Sequence, residues 1–156
     1  MTIIGLISDT HGLLRREVAA ALAGVSQILH AGDVGRPEVL DELRAIAPVT
    51  AVRGNVDGGR LAEALPMDAV VSIGGADIYM LHNLSGMDID PKAAGIAAVV
   101  SGHTHAPLIE MLDGVLYVNP GSAGPRRFSL PISVGFLRVS RDAPIEAWVR
   151  TLDAGG

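Results

Sequence analysis

Seven side chains that can hold a cation or move a proton fall at the ends of five apolar runs: Asp9 with His11, Asp33, Asn55, His82, and His103 with His105. Four of the five histidines in the chain belong to that set. Singly, each has an ordinary explanation, as a hydrogen-bonded histidine, a capping aspartate or a turn asparagine. The set resists that explanation. Carboxylates, imidazoles and an amide oxygen converging without a cation would leave desolvated anions beside packed rings, and a pair of divalent ions removes the difficulty. Imidazole, carboxylate and amide ligation without sulfur suits manganese, iron, zinc, nickel or cobalt, and the histidine content argues against a cage for magnesium or calcium alone. Seven ligands are too many for one tetrahedral zinc. If one carboxylate bridges, two ions each receive protein ligands and keep open positions for water and substrate. The chain has no cysteine, which excludes disulfides, thiolate-rich zinc sites and iron–sulfur sites.

Strands and turns must deliver these side chains. The Ile-rich run over 2–8 is too short for a helix and ends in Asp9-Thr10-His11-Gly12, so it reads as a buried strand feeding a loop. A helix follows over 14–23, stopped by Gly24, and a second strand over 26–30 precedes Ala31-Gly32-Asp33. The next helix, over 36–47, has Pro37 in its first turn, carries Val39, Leu40, Leu43 and Ile46 at helical spacing, and stops before Pro48. A third strand over 49–53 ends in Gly54-Asn55. Beyond Leu65-Pro66 the runs become β-like. Strands over 69–73 and 77–82 flank a Gly74-Gly75 hairpin turn and should be antiparallel. The run over 97–101 ends in Gly102-His103-Thr104-His105. Strands over 107–112 and 115–119 flank Asp113-Gly114, and the runs over 133–139 and 145–152 alternate like half-exposed strands. This order, βαβαβ and then mostly β, predicts an α/β fold of two packed sheets with helices on their outer faces. Ligands of such sheets bind beyond the carboxyl ends of parallel strands, where the seven side chains fall.

The 156 residues predict one domain over 1–156, with neither repeat nor linker. At 49% hydrophobic and 19% charged residues, the composition excludes a disordered tail or a coiled coil. A net charge of −5 and 3% aromatic residues argue against long nucleic acid, which needs a positive field and stacking platforms. No basic leader opens the chain, and no uncharged apolar stretch reaches the roughly 18 residues of a membrane span, so the expectation is a soluble cytoplasmic protein without membrane partners.

The ordered blocks Asp9-Thr10-His11, Gly32-Asp33, Gly54-Asn55, His82 and Gly102-His103-Thr104-His105 resemble the signature of the calcineurin-like metallophosphoesterases. Chain length, Val52-Arg53-Gly54-Asn55 and Asn119-Pro120-Gly121-Ser122 resemble its small YfcE-type phosphodiesterase branch. The resemblance implies a four-layer α/β/β/α sandwich of two mixed β-sheets flanked by helices. It also implies two divalent ions per chain, manganese ahead of nickel, iron, zinc or cobalt. Asp9, His11 and His105 would hold one ion and Asn55, His82 and His103 the other, with Asp33 bridging. Asp33, Asn55 and His82 would form the catalytic group.

On that basis a small phosphodiester is the expected substrate, attacked by a metal-bridging hydroxide to give a phosphomonoester and an alcohol. Asn55 would offset charge on the phosphoryl oxygens, and Arg53 would act as a second substrate-binding group because a guanidinium matches two phosphate oxygens. Many larger relatives carry histidine after the Gly-Asn pair, where it helps protonate the leaving group. Val56 stands there in this chain, which weakens the alternative of a phosphomonoesterase or nucleotide phosphatase on the same site. His30 reads as a buried strand residue with a satisfied ring, and Asp57 as a turn residue. Small relatives often have His-Gly-His where this chain has His82-Asn83-Leu84, and the segment 84–95 that follows predicts an open pocket. The segment ending in Arg126 and Arg127 reads as a structural loop that could also bring two cations near substrate. A second alternative is a non-catalytic scaffold of the same fold, as in a retromer subunit, but none of the seven ligand positions is eroded. The sequence leaves homo-oligomerisation open.

Overall fold

The computed structural model describes residues 1–152. Alternation along β1 (Thr2–Ile7) organises the molecule, because its two faces enter different apolar clusters. Ile4 and Leu6 point between two sheets, whereas Ile7 points toward helices. Gly5 lies on the helix side, where a Cβ would come within 2.7 Å of the Leu22 side chain, so glycine lets the first helix pack close.

β1 is the centre of a five-stranded sheet. It pairs in parallel with β2 (Gln27–His30), which pairs in parallel with β3 (Val49–Ala51). On its other side β1 runs antiparallel to β9 (Ile132–Ser140), and β9 to β10 (Ala143–Leu152). The second sheet has the order β4 (Asp68–Ile73), β5 (Ala76–Leu81), β6 (Ile96–Val100), β8 (Val115–Asn119), β7 (Leu108–Leu112). β5, β6 and β8 are parallel there, and the edges are antiparallel. The hairpin turn is Gly74-Gly75, both at positive φ, 59° and 85°, as expected of a two-residue connection matched to strand twist.

Between the sheets, Ile4, Leu6, Leu29 and Leu137 meet Ile78, Met80, Val100 and Val118. Each such side chain, removed from water, contributes about 1.5–3 kcal/mol of transfer free energy. The outer face of the first sheet is covered by α1 (Arg16–Ala21), α2 (Pro37–Arg44) and α3 (Gly59–Ala64), through Val18, Val39, Leu40, Leu43 and Leu61. Trp148 stacks on Phe136 at 5.3 Å within that layer. The outer face of the second sheet, with Tyr79, Leu81 and Val99, is covered by Met87 and Ile89 from the connection after β5, whose one helical element is a 3-10 turn (Leu84–Gly86).

Two packed sheets, as the element order predicts, and both mixed, as the resemblance implies, are thus observed, with a thin fourth layer. The first two helices are shorter than their apolar spacing predicts, and α3 lies in a stretch where the sequence predicts no element. α3 opens on Gly58-Gly59 and buries a single residue, Leu61, so it carries almost no periodic signal. No helix among the described residues is long and apolar enough to cross a membrane.

Candidate metal centre

The parallel strands of both sheets end on the same side of the sandwich, and the loops leaving them meet. Asp9 follows β1, Asp33 follows β2, Asn55 follows β3, His82 is the first residue beyond β5, and His103 and His105 follow β6. Backbone hydrogen bonds tie these loops together: Asp9 N–H donates to Gly32 O (3.0 Å), His11 N–H to Asp33 O (2.9 Å) and Gly102 N–H to His82 O (2.9 Å).

Glycine before Asn55 and before His103 is required by this contact. A Cβ on Gly54 would fall on the backbone nitrogen and Oδ1 of Asp33, and one on Gly102 would fall on Ser8 Oγ. Five of the seven candidate residues are held in the left-handed region: Asp9 (φ 56°), His11 (46°), Asp33 (57°), His103 (75°) and His105 (65°). Such conformations cost about 1–3 kcal/mol each and persist only where the surroundings impose them.

The surroundings are a set of buried polar braces. His30 is fully buried; its Nδ1 accepts from Gly32 N–H (3.1 Å), so its Nε2 carries the proton and faces Thr10 Oγ1 (3.0 Å), whose hydroxyl donates to Val34 O (2.8 Å). Burial lowers its pKa to about 4, against an opposing pull from Asp57, so the ring stays neutral. The Asp57 carboxylate accepts from the backbone N–H groups of Val34, Gly35 and Gly54, clipping the Asp33 loop to the Asn55 loop. Asn119 donates to Gly102 O and Thr104 Oγ1, and Ser122 donates to Asp9 O. His30 and Asp57 are therefore the structural residues the sequence predicts. The roles of Thr10, Asn119 and Ser122 had no local signal, since each bond spans at least fifteen residues.

Each carboxylate uses one oxygen for the protein and turns the other inward. Asp9 Oδ2 accepts from Ser8 Oγ (2.8 Å) and His103 N–H (3.1 Å), and Asp33 Oδ1 from Val56 N–H (3.0 Å). Asp9 Oδ1 then lies 3.7, 3.9 and 3.4 Å from Nε2 of His11, His82 and His105. Asp33 Oδ2 lies 3.5 Å from His11 Nε2 and 3.2 Å from His82 Nε2. Asp9 Oδ1, His11 Nε2 and His82 Nε2 are buried with no hydrogen-bond partner. His82 Nδ1 lies 2.8 Å from Ala31 O and donates to it, which leaves a lone pair on Nε2, the tautomer a metal ligand needs.

The local field also favours a cation. Burial alone would raise the Asp33 carboxyl, but His82, the Val56 amide and His11 hold it well below the usual carboxylate range. Burial alone would lower His82, but Asp33, the Ala31 carbonyl and Asp9 raise it. His105 is lowered by burial, with Arg127 and His11 acting in the same direction against Asp9. Orphaned buried donors, all oxygen and imidazole, fit divalent metal ions.

Among the described residues the inner groups that could hold an ion are Asp9 with His11 and His105, and Asp9 with Asp33 and His82. The other two sequence candidates stand beside them. The His103 ring is exposed and meets His82 edge-on at 5.2 Å, and exposed Asn55 lines a cavity of about 340 Å³ together with Arg53 and His82. Arg53 donates from Nη1 to Ala62 O (3.0 Å) and from Nε to Met67 Sδ (3.2 Å), so its guanidinium is tied to α3 while it borders that cavity. The 3-10 turn after His82 forms the opposite wall through Ser85 and Gly86. Arg126 Nη1 donates to Leu130 O (3.3 Å), the structural-loop role read for it, whereas Arg127 lies close enough to His105 to lower its pKa.

Residues 1–142 match the calcineurin-like phosphoesterase superfamily domain. This chain belongs to that superfamily. It is similar to a probable metallophosphoesterase of Methanothermobacter thermautotrophicus, 32% identical over 165 residues, covering 96% of this chain and 92% of that protein. Among solved structures it resembles an archaeal phosphodiesterase, with TM-score 0.80, 26% identity, and coverage of 96% of this chain and 99% of the other. Vacuolar protein sorting 29 from Cryptosporidium parvum shares the fold, with TM-score 0.76 at 21% identity and 97% coverage of both chains. As a member of the calcineurin-like superfamily, the chain is a metal-dependent phosphoesterase by family, with candidate ligand groups in place for divalent ions.

Proposed function

We propose that the protein is a phosphodiesterase that hydrolyses a small phosphodiester at a dinuclear metal centre. One observation carries the reading: Asp9 Oδ1, His11 Nε2 and His82 Nε2 are buried, unpartnered and converge. Asp9, His11 and His105 would hold one ion, and His82, His103 and Asn55 the other. Asp33 Oδ2, within 3.5 Å of a histidine from each set, suits a bridging role. When bound, such ions acidify a water to serve as nucleophile near neutral pH and offset charge on the phosphoryl oxygens; manganese is the metal we expect. The braces on Asp9 and Asp33 keep both carboxylates oriented, so that little rearrangement accompanies the reaction. Asn55 would donate to a phosphoryl oxygen from the cavity wall, and Arg53 would face the same phosphate from α3.

The diester preference rests on what stands near the leaving oxygen. Val56 has no proton to give, and neutral buried His30 and triply bonded Asp57 are both engaged with backbone or Thr10. An ester with a good leaving group needs no acid there. The test is turnover of bis(p-nitrophenyl) phosphate against p-nitrophenyl phosphate with Mn²⁺ and with chelator. The diester should be hydrolysed faster, and only with metal. Faster monoester turnover, or turnover that survives chelation, would overturn the reading.

A further inference from the structure

The loop that joins β8 to β9 is clamped at its base and bare at its tip. Ser122 and Ile132 form an isolated bridge, and Ser133 N–H donates to Ser122 O (3.0 Å), so residues 123–131 leave and return at one point. The outgoing limb lies on the Asp9 loop: Ala123 N–H donates to Ser8 O (3.0 Å), Ser122 Oγ to Asp9 O (3.2 Å) and Arg15 Nε to Gly124 O (3.1 Å). A Cβ on Gly124 would fall on the carbonyl oxygens of Asp9 and Thr10, so the limb meets that loop backbone to backbone. The tip is a turn closed by Leu130 N–H on Arg127 O (3.1 Å) and by Arg126 Nη1 on Leu130 O (3.3 Å).

Two side chains at this tip are left out of the packing. Phe128 is 89% exposed and is held at a φ of 54°, in the left-handed region that a bulky residue seldom enters. Exposure forgoes the gain of burying a phenyl ring and the backbone adds strain, a combination that persists where a site uses it. The neighbouring Arg127 side chain makes no hydrogen bond or ion pair among the described residues, yet it is close enough to His105 to act on that ring electrostatically. Arg53 borders the centre beside Asn55 and His82, whereas Arg127 approaches the group of Asp9, His11 and His105. We propose that this tip docks the substrate: Arg127 pairs with a phosphoryl oxygen, and Phe128 stacks on a flat aromatic group, such as a nucleobase, on the retained alcohol of the diester. A phenyl face beside a guanidinium favours such a group over an alkyl chain, because both planes stack on π systems. A single exposed ring serves one base rather than a strand, in keeping with the scarcity of aromatic residues. The inference rests on the phosphodiesterase reading for the position of the phosphate.

Two esters with one leaving group test it: p-nitrophenyl thymidine 5′-phosphate and p-nitrophenyl ethyl phosphate, with the Mn²⁺-loaded protein. The thymidine ester should have a kcat/KM at least about fivefold higher, a ratio that Phe128→Gly brings toward one and Phe128→Trp keeps. Arg127→Ala should lower kcat/KM for both esters about tenfold and leave the ratio in place. A parent ratio near one, a ratio that survives in Phe128→Gly, or parent-like turnover in Arg127→Ala would overturn the proposal. Stability separates it from a structural role. Glycine relieves the strained φ, so Phe128→Gly should unfold at a urea concentration no lower than the parent, and a lower midpoint would assign the ring to the fold instead. Failure to hydrolyse either ester contradicts the phosphodiesterase reading rather than this one. Calorimetric titration of the Mn²⁺-loaded protein with thymidine 5′-monophosphate then decides: binding weakened about fivefold or more in Phe128→Gly supports the docking role, and equal binding overturns it.

Discussion

His30 shows how a residue can serve this site without touching a ligand. It sits fully buried and neutral, and through Gly32 and Thr10 it joins the loops that carry Asp33 and Asp9. Its pKa is lowered from 6.5 to about 4, so between those values the unfolded chain binds a proton that the native protein does not. Stability contributed by the neutral ring is therefore complete above pH 6.5 and is lost as pH falls toward 4, by up to about 3 kcal/mol. Urea unfolding of metal-free parent and His30→Gln, at pH 7 and pH 4.5, isolates the effect because all other groups are common to both. The stability advantage of the parent should shrink at the lower pH. An advantage that does not change with pH would contradict the account. At this scale the sequence was informative, since side-chain type alone marked the seven candidates and the structural character of His30 and Asp57. It could not show that Arg53 is tied to α3, because that bond depends on a helix with almost no apolar period.

The elements act as arms that bring loops into contact, and glycine decides how near they come. A methyl group on Gly54 would collide with the Asp33 backbone, whereas one on Gly58, four residues on, would meet nothing within 4 Å. Gly54→Ala should therefore lower stability by about 1–3 kcal/mol and weaken metal binding, because the Asp33 loop must move, while Gly58→Ala should change either quantity little. Urea titration and metal-binding calorimetry on the two variants check this, and equal behaviour would argue against tight loop contact as the positioning device. The succession of elements along the chain and the ends of β1, β2, β5 and β6 were legible from short apolar runs closed by polar turns, whereas the order of strands within each sheet was not. The contacts between the loops were not, because Asp57 reaches Val34 and Asn119 reaches Gly102 across chain separations that leave no periodic pattern.

At the scale of the whole molecule, the two sheets contribute to one centre: Asp9, His11 and Asp33 come from loops of the first, and His82, His103 and His105 from loops of the second. The candidate residues come together only when the sandwich has formed, so any ion bound there would favour the packed state over the unfolded chain. The same convergence relates fold to chemistry. A scaffold of this fold needs no orphaned Asp9 Oδ1, His11 Nε2 or His82 Nε2, and no run of strained aspartates and histidines to carry them. The central claim is that these atoms hold two catalytic ions. Calorimetric titration of the metal-free protein with Mn²⁺, with bis(p-nitrophenyl) phosphate turnover followed at each addition, tests it most directly. We predict two ions bound per chain and turnover that rises fully only with the second; one ion or none, or turnover unrelated to occupancy, would contradict it.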